Sequence, residues 1–353
     1  AEDEKASPYY GVPYTSIGKK HANEVGFFIQ DEWNVTPKLT VVPGIRLDSH
    51  SSGEEYATSV KVSDSAFPST KFSKTTINPR LAVKYEVTPS LILRANIGTG
   101  FRAPYGFSED LHLCSGSPRV WKSSNLKGER AISYNLSADY YSKLYQFSIN
   151  LFRTNLKDKI QFSPADDEVK KFGYSYQWEN VDDAYVQGIE LGAKASIARN
   201  LTAGVNWTFN QGKFKHERAE WSDPNDESVK EFPQRLKYAK ESRYISRFPG
   251  MTGDFDIDYT PGTWTFSLTS SLQGSMYIDY NSEDAGQNSK IKKTSTFMLF
   301  NCRASKRFGM CTVYAGAKNI FSYIQDEKHT DDAAFMYAPV YGATWYVGLS
   351  VKL

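Results

Sequence analysis

Ile77-Asn78-Pro79-Arg80-Leu81-Ala82-Val83-Lys84-Tyr85-Glu86 is the stretch whose reading decides the fold. Its odd positions are apolar and its even positions polar or small, a period of two that gives an extended strand one oily and one wet face. Thr88-Pro89-Ser90 turns the chain. From Leu91 to Phe101 the alternation repeats, with Leu93, Ala95 and Ile97 set against Arg94, Asn96 and Gly98. This second strand runs out in Gly100-Phe101-Arg102-Ala103-Pro104. After a long polar loop, Asn125-Leu126-Lys127-Gly128-Glu129-Arg130 leads into a third strand.

Composition bounds what surrounds this hairpin. The 353 residues are 14% aromatic and 23% charged, with a net charge of +2. A near-neutral chain with no basic block interleaved with aromatics has no nucleic-acid surface, so no nucleic-acid partner is expected. No run of about 18 apolar residues exists, which excludes a transmembrane helix. The mean hydropathy of −0.52 still accommodates a membrane β-barrel, whose lumen and loops are polar. Ala1-Glu2-Asp3-Glu4-Lys5 has neither the basic nor the apolar region of a signal peptide. Cys302 and Cys311 fall on adjacent expected strands but not opposite each other, and Cys114 lies in a loop, so no disulfide framework is expected.

The same alternation recurs along the chain, at 23–35, 39–49, 131–141, up to about 161, then at 185–197, 201–211, 249–259, 263–276, 294–306, 310–320 and 344–353. Tight turns of about three residues alternate with loops of roughly sixteen to thirty or more, the rhythm of outer-membrane barrels with short periplasmic turns and long outer loops. A β-sandwich turns every 8–12 residues or so without it. In the 249–259 strand Asp254, Asp256 and Asp258 oppose Phe255, Ile257 and Tyr259. Burying three aspartates in a dry core costs several kcal/mol per unpaired charge, whereas a wet or plugged lumen accepts them. The end of the chain alternates Trp345, Val347, Leu349, Val351 and Leu353 against Tyr346, Ser350 and Lys352, as a terminal barrel strand ending in the periplasm does. The expectation is an all-β fold, an antiparallel transmembrane β-barrel with about 13 strands present. Because bacterial barrels have even strand counts, the chain is expected to begin within an outer loop.

The two segments that bracket the polar loop resemble those of TonB-dependent outer-membrane receptors, in which a GFRAP-type strand end and an NPNLKPE-type segment enclose one extracellular loop. Ser124 and Gly128 stand where that family has prolines. Asn180-Val181-Asp182-Asp183-Ala184-Tyr185-Val186-Gln187-Gly188-Ile189-Glu190-Leu191 is similar to its "NV..A...GvEl" strand, and Gly316-Ala317-Lys318-Asn319-Ile320-Phe321 to its "G.kNlF" segment. The resemblance implies a complete barrel of about 22 strands around a plug. Residues 1–22 are then an extracellular loop segment and 23–353 the C-terminal portion of the barrel, with the plug and N-terminal strands outside this chain. It further implies a bacterial outer-membrane location, coupling to a TonB complex, and uptake of a scarce chelated nutrient such as a siderophore, haem or cobalamin. The expected partners are the plug-bearing N-terminal fragment, TonB, outer-membrane lipid and a small chelate.

Enzymatic constellations are absent: there is no G-x-S-x-G, no HExxH, no P-loop and no Cys/His metal spacing. No catalytic residue, resident metal or cofactor is expected. Binding fits the outer loops better. Arg102, Tyr105, Phe107, His112, Arg119 and Trp121 combine aromatic, cationic and imidazole groups, and Trp178 and Trp221 add exposed indoles that either contact ligand or pack at a loop base. His112 sits where some haem receptors of the resembled family carry a histidine. Against that reading, all five histidines (His21, His50, His112, His216, His329) fall in or beside expected outer loops. Trp33, Tyr85, Tyr140, Tyr259, Trp264 and Trp345, near strand ends, read as interfacial girdle. The alternatives are a passive porin or adhesin barrel and a secreted all-β carbohydrate-binding protein or hydrolase.

Overall fold

The computed structural model describes residues 16–58, 69–105, 120–164, 166–172, 176–216, 243–245, 247–277, 294–325 and 337–352. Its strands are β1 (Ser16–Gln30), β2 (Trp33–Thr36), β3 (Leu39–Thr58), β4 (Thr70–Thr88), β5 (Leu91–Arg102), β6 (Val120–Lys122), β7 (Glu129–Tyr141) and β8 (Tyr145–Pro164). They continue with β9 (Tyr176–Ala198), β10 (Leu201–Phe214), β11 (Met251–Tyr259), β12 (Trp264–Gln273), β13 (Phe297–Phe308), β14 (Cys311–Lys318) and β15 (Thr344–Val351). All fifteen belong to one sheet, whose path is β1-β3-β4-β5-β7-β8-β9-β10-β11-β12-β13-β14-β15. Removing β2, which resumes β1 after Asp31 and Glu32, and the short β6 leaves thirteen crossings, the number expected. The path does not close: β1 and β15 do not pair with each other.

Local chemistry fixes the tight turns. Thr36 Oγ1 accepts from the Lys38 and Leu39 amides at 3.2 and 3.0 Å. Thr88 Oγ1 accepts in the same way from Ser90 and Leu91, at 3.2 and 3.0 Å, so two Thr-Pro-X sequences make the same hydroxyl-capped reversal. Gly262 and Gly309 supply the positive φ, 62° and 61°, that two further turns require.

Register aligns the alternation across strands. One row runs Val41, Val83, Ala95, Leu136, Leu151, Ile189, Phe209 and Met251. One residue along each strand, on the opposite face, a second row runs Thr40, Lys84, Arg94, Ser137, Asn150, Glu190, Thr208 and Thr252. A slip of one residue in any strand would put its charges among the hydrocarbon side chains, so the pattern itself pins the pairing. Among the described residues, no second layer covers the oily row. Leu136 is 54% exposed and Phe209 47%, as a bilayer-facing surface requires. The strand-end aromatics Trp33, Tyr85, Tyr140, Tyr259, Trp264 and Trp345 are all exposed with it.

The outer ends of the strands correct the expected boundaries. β3 continues to Thr58 and β4 begins at Thr70, where a loop was expected; β9 begins at Tyr176 and so includes Trp178. β1 starts at Ser16, inside the segment assigned to the 1–22 loop. His21 and His50 are therefore strand residues, and the loop after β5 contains strand β6. These extensions escape a period-two reading because, beyond the bilayer, both faces of a strand meet polar surroundings and the oily alternation stops. Cys302 pairs in register with Ala317, and Cys311 with Phe308; both thiols are free.

Candidate functional site

On the polar face, the outer half of β3 carries Asp48, His50, Ser52 and Glu54, and each is buried. The end of β5 covers His50, and the strap that follows it covers Glu54. The ladder between β4 and β5 stops at Arg80–Gly98, while β5 stays paired with β7 as far as Arg102–Glu129. Freed from β4, the end of β5 lays Phe101 against the β3–β4 hairpin. Its ring centroid is 4.9 Å from that of His50 and 6.0 Å from that of Phe72, with Lys74 Nζ 5.6 Å from the ring.

Tyr105, 3% exposed, fastens the strap. Its hydroxyl donates to the Ser123 carbonyl at 2.7 Å and accepts from the Leu126 amide at 3.1 Å. Burial pushes this phenol above its usual pKa of 10.0; the hydrogen bond from the Leu126 amide opposes that shift and the Glu54 carboxylate adds to it. Between the two anchors, β6 lies parallel to β9, with Trp121 opposite Gln177 and Lys122 opposite Trp178. Lys122 Nζ reaches back to Glu54 Oε1 at 2.6 Å, both side chains almost wholly buried, with Lys20 Nζ 3.9 Å from the same oxygen. Breaking such a pair strands a charge away from water and costs about 3–5 kcal/mol.

Segments far apart in the sequence meet here. Asn180 Oδ1 accepts from the Lys127 amide at 2.7 Å, and its Nδ2 donates to the carbonyls of Lys127 and Asp158 at 3.0 and 2.8 Å. Glu129 Oε2 accepts from the Ile160 amide at 3.1 Å. A Cβ added at Gly128 would collide with the Phe101 ring, which explains why a glycine is accommodated at that position. At the base of the last outer loop Asn319 does similar work from a left-handed conformation (φ 50°): Nδ2 donates to Tyr323 O at 2.7 Å and Oδ1 accepts from the Tyr323 amide at 2.9 Å.

Of the sequence-predicted binding residues, Arg102, Tyr105, Trp121 and Trp178 are brought together around this strap. Arg102 is exposed and the two indoles are half-buried. Phe107, His112, Arg119 and Trp221 lie outside the described residues. Sequence reasoning passed over Phe101, Glu54, Lys122 and Asn180 as site residues. Phe101 and Asn180 lie inside the segments that resemble the family, but the Glu54–Lys122 pair spans 68 residues and left no local signal. Elsewhere, Asp182 takes up His216: its carboxylate accepts the His216 amide at 2.7 Å and contacts the ring Nδ1 at 3.1 Å. Burial works to raise the Asp182 pKa, but the His216 contacts and the hydrogen bond from the Asp183 amide together outweigh it and the net shift is downward.

Residues 3–320 match the family described as TonB dependent receptor-like, beta-barrel. The vitamin B12 transporter BtuB of Photobacterium profundum is 27% identical over 229 residues, covering 64% of this chain and 30% of that protein. The ferric enterobactin receptor of Pseudomonas aeruginosa is 26% identical over 202 residues, covering 52% and 24%. Among solved structures, the copper transporter OprC superposes with a TM-score of 0.67 at 17% identity, over 94% of this chain and 48% of that one. The unliganded ferric citrate transporter FecA gives 0.67 at 18%, over 96% and 46%. The chain thus spans less than half the length of the proteins it matches.

Proposed function

This chain belongs to the TonB-dependent receptor-like β-barrel family, and from that premise we propose that it forms the wall of an outer-membrane receptor that takes up a scarce chelated nutrient in a TonB-dependent manner. The observation that carries the reading is the pair of adjacent rows, hydrocarbon on one face and Lys84, Arg94, Asn150 and Glu190 on the other, in a sheet one layer thick. Such a sheet fits lipid on one side and a wet or plugged lumen on the other.

Backbone groups on an open edge find no partner in hydrocarbon. The free edges of β1 and β15 therefore call for further strands, which, together with a plug, belong to the same receptor. The wall supplies a rigid frame, and capture falls to the outer end. There Arg102, Trp121 and Trp178 flank the strap that Tyr105 fastens; Phe107, His112, Arg119 and Trp221, outside the described residues, are ligand contacts on sequence grounds alone. A cation beside aromatic planes suits an anionic, partly aromatic chelate through ion pairing and stacking. Relatives named for vitamin B12 and ferric enterobactin support a metal chelate as cargo.

Growth of an uptake-deficient Gram-negative host carrying the complete receptor, on a panel of ferric siderophores, haem and cobalamin, tests this. Rescue by at least one compound that disappears when TonB is deleted is the expected result. Uptake undiminished without TonB would make the barrel a passive channel, and a protein soluble without detergent would remove the membrane reading.

A further inference from the structure

Above the oily band, the bilayer-facing side of β7, β8 and β10 turns cationic. Tyr134 and Leu136 of β7 stand opposite Arg153 and Leu151 of β8, and the next pair but one on the same face is Arg130 opposite Lys157. Both are exposed, and among the described residues no carboxylate pairs with either. Like charges directly opposite each other destabilise a sheet, so the pair is suited to an anion seated between them. Arg153 is preorganised beside it: its guanidinium stacks 4.4 Å over the Tyr185 ring and donates to Gln187 Oε1 at 2.7 Å and Asn155 Oδ1 at 2.9 Å. Lys213 lies on the same side two strands further on, 4.7 Å from the Tyr244 ring. Asp183, two residues before Tyr185, spends its carboxylate on the Asp158 amide rather than on these cations.

Height and shape identify the anion. From the turn at Tyr141 to Arg130, about eleven residues rising roughly 3.3 Å each along a strand tilted about 45° climb about 25 Å, the height of the apolar band of a barrel. Arg130 and Lys157 thus stand at headgroup level. Directly below, a groove of about 480 Å³ is floored where the small Ala95 lies between Val83 and Leu136, with Leu151 beside it and Tyr134 and Arg153 at its upper end. We propose that this face holds one phosphorylated lipid of the outer leaflet, its phosphates between Arg130, Lys157 and Arg153 and an acyl chain in the groove. The inference rests on the reading of the sheet as a bilayer-embedded wall.

Native mass spectrometry of the complete receptor, released from detergent and titrated with bisphosphorylated lipid A or its dephosphorylated form, tests it. The wild type is expected to retain the phosphorylated lipid and not the dephosphorylated one. R130Q/K157Q weakens retention by about a hundredfold, roughly tenfold for each charge-assisted hydrogen bond removed. Arg130→Lys with Lys157→Arg, which keeps both charges, restores it, and Lys143→Gln at the turn end changes nothing. Equal retention by wild type and R130Q/K157Q, or equal retention of the two lipids, overturns the proposal. Because the double variant still needs detergent if the sheet spans a bilayer, failure of this site and failure of the membrane reading give different results.

Discussion

Two rows of acidic residues occupy the same face of the sheet and meet different fates. On β11, Asp254, Asp256 and Asp258 look across an open face. Asp254 accepts from Asn206 Nδ2 at 2.9 Å and Asp258 from the Ser267 hydroxyl at 2.5 Å, while Asp256 leans over Gly204. On β3, Asp48 and Glu54 share a row in which every group is buried. Asp48 accepts from Arg46 Nε at 2.6 Å and Asn78 Nδ2 at 2.9 Å, and Glu54 holds Lys122. The difference lies in what the chain lays over each row. The open row keeps its charges hydrated or available to whatever fills the lumen, and costs little. The covered row works as a lock, because a charge removed from water must keep its partner.

The covered row is most vulnerable at Glu54. Replacing it with alanine leaves Lys122 buried without its carboxylate, with an expected loss of about 3–5 kcal/mol in the strap's closure. Hydrogen exchange at β6 reads this directly; protection unchanged from wild type would show that the pair does not hold the strap. Asn180→Ala removes three hydrogen bonds from one side-chain amide and should cost about 1–3 kcal/mol, with faster exchange confined to the amides around Lys127. Gly128→Ala forces the Phe101 ring to move, an overpacking cost of roughly 1–3 kcal/mol, and should free the His50 ring from its neighbour; histidine NMR would follow it.

A pH titration sharpens the same contrast. Since burial raises the Tyr105 pKa, the unfolded chain releases this proton first. The contribution of Tyr105 is therefore complete below its ordinary value of 10.0 and falls as pH rises through the folded-state value. Absorbance of the phenolate should show a late-titrating component that Tyr105→Phe removes. The smallest effect belongs to the open row: Asp256→Ala is expected to change stability by no more than about 0.5 kcal/mol, and a thermal melt displaced by several degrees would mean that its face is covered after all.

Much of this architecture was legible in the amino-acid order. Alternation within ten residues identified the two faces, and the turn–loop rhythm gave the thirteen crossings in sequence. The outer extensions of β1, β3, β4 and β9 were not legible, because strands that leave the bilayer no longer need one oily face. Likewise, Tyr105 reads as a ligand contact in isolation, yet its hydroxyl is already committed to Ser123 and Leu126.

The sequence by itself determined which side of every strand faces hydrocarbon, since that choice depends only on residues two apart and on the free energy of burying a charge. Folding decided which polar row is roofed over and which stays open. Glu54 meets Lys122, and Asn180 meets Lys127, only after β5 parts from β4 and the strap closes, and contacts between residues so distant in sequence carry no periodicity to read.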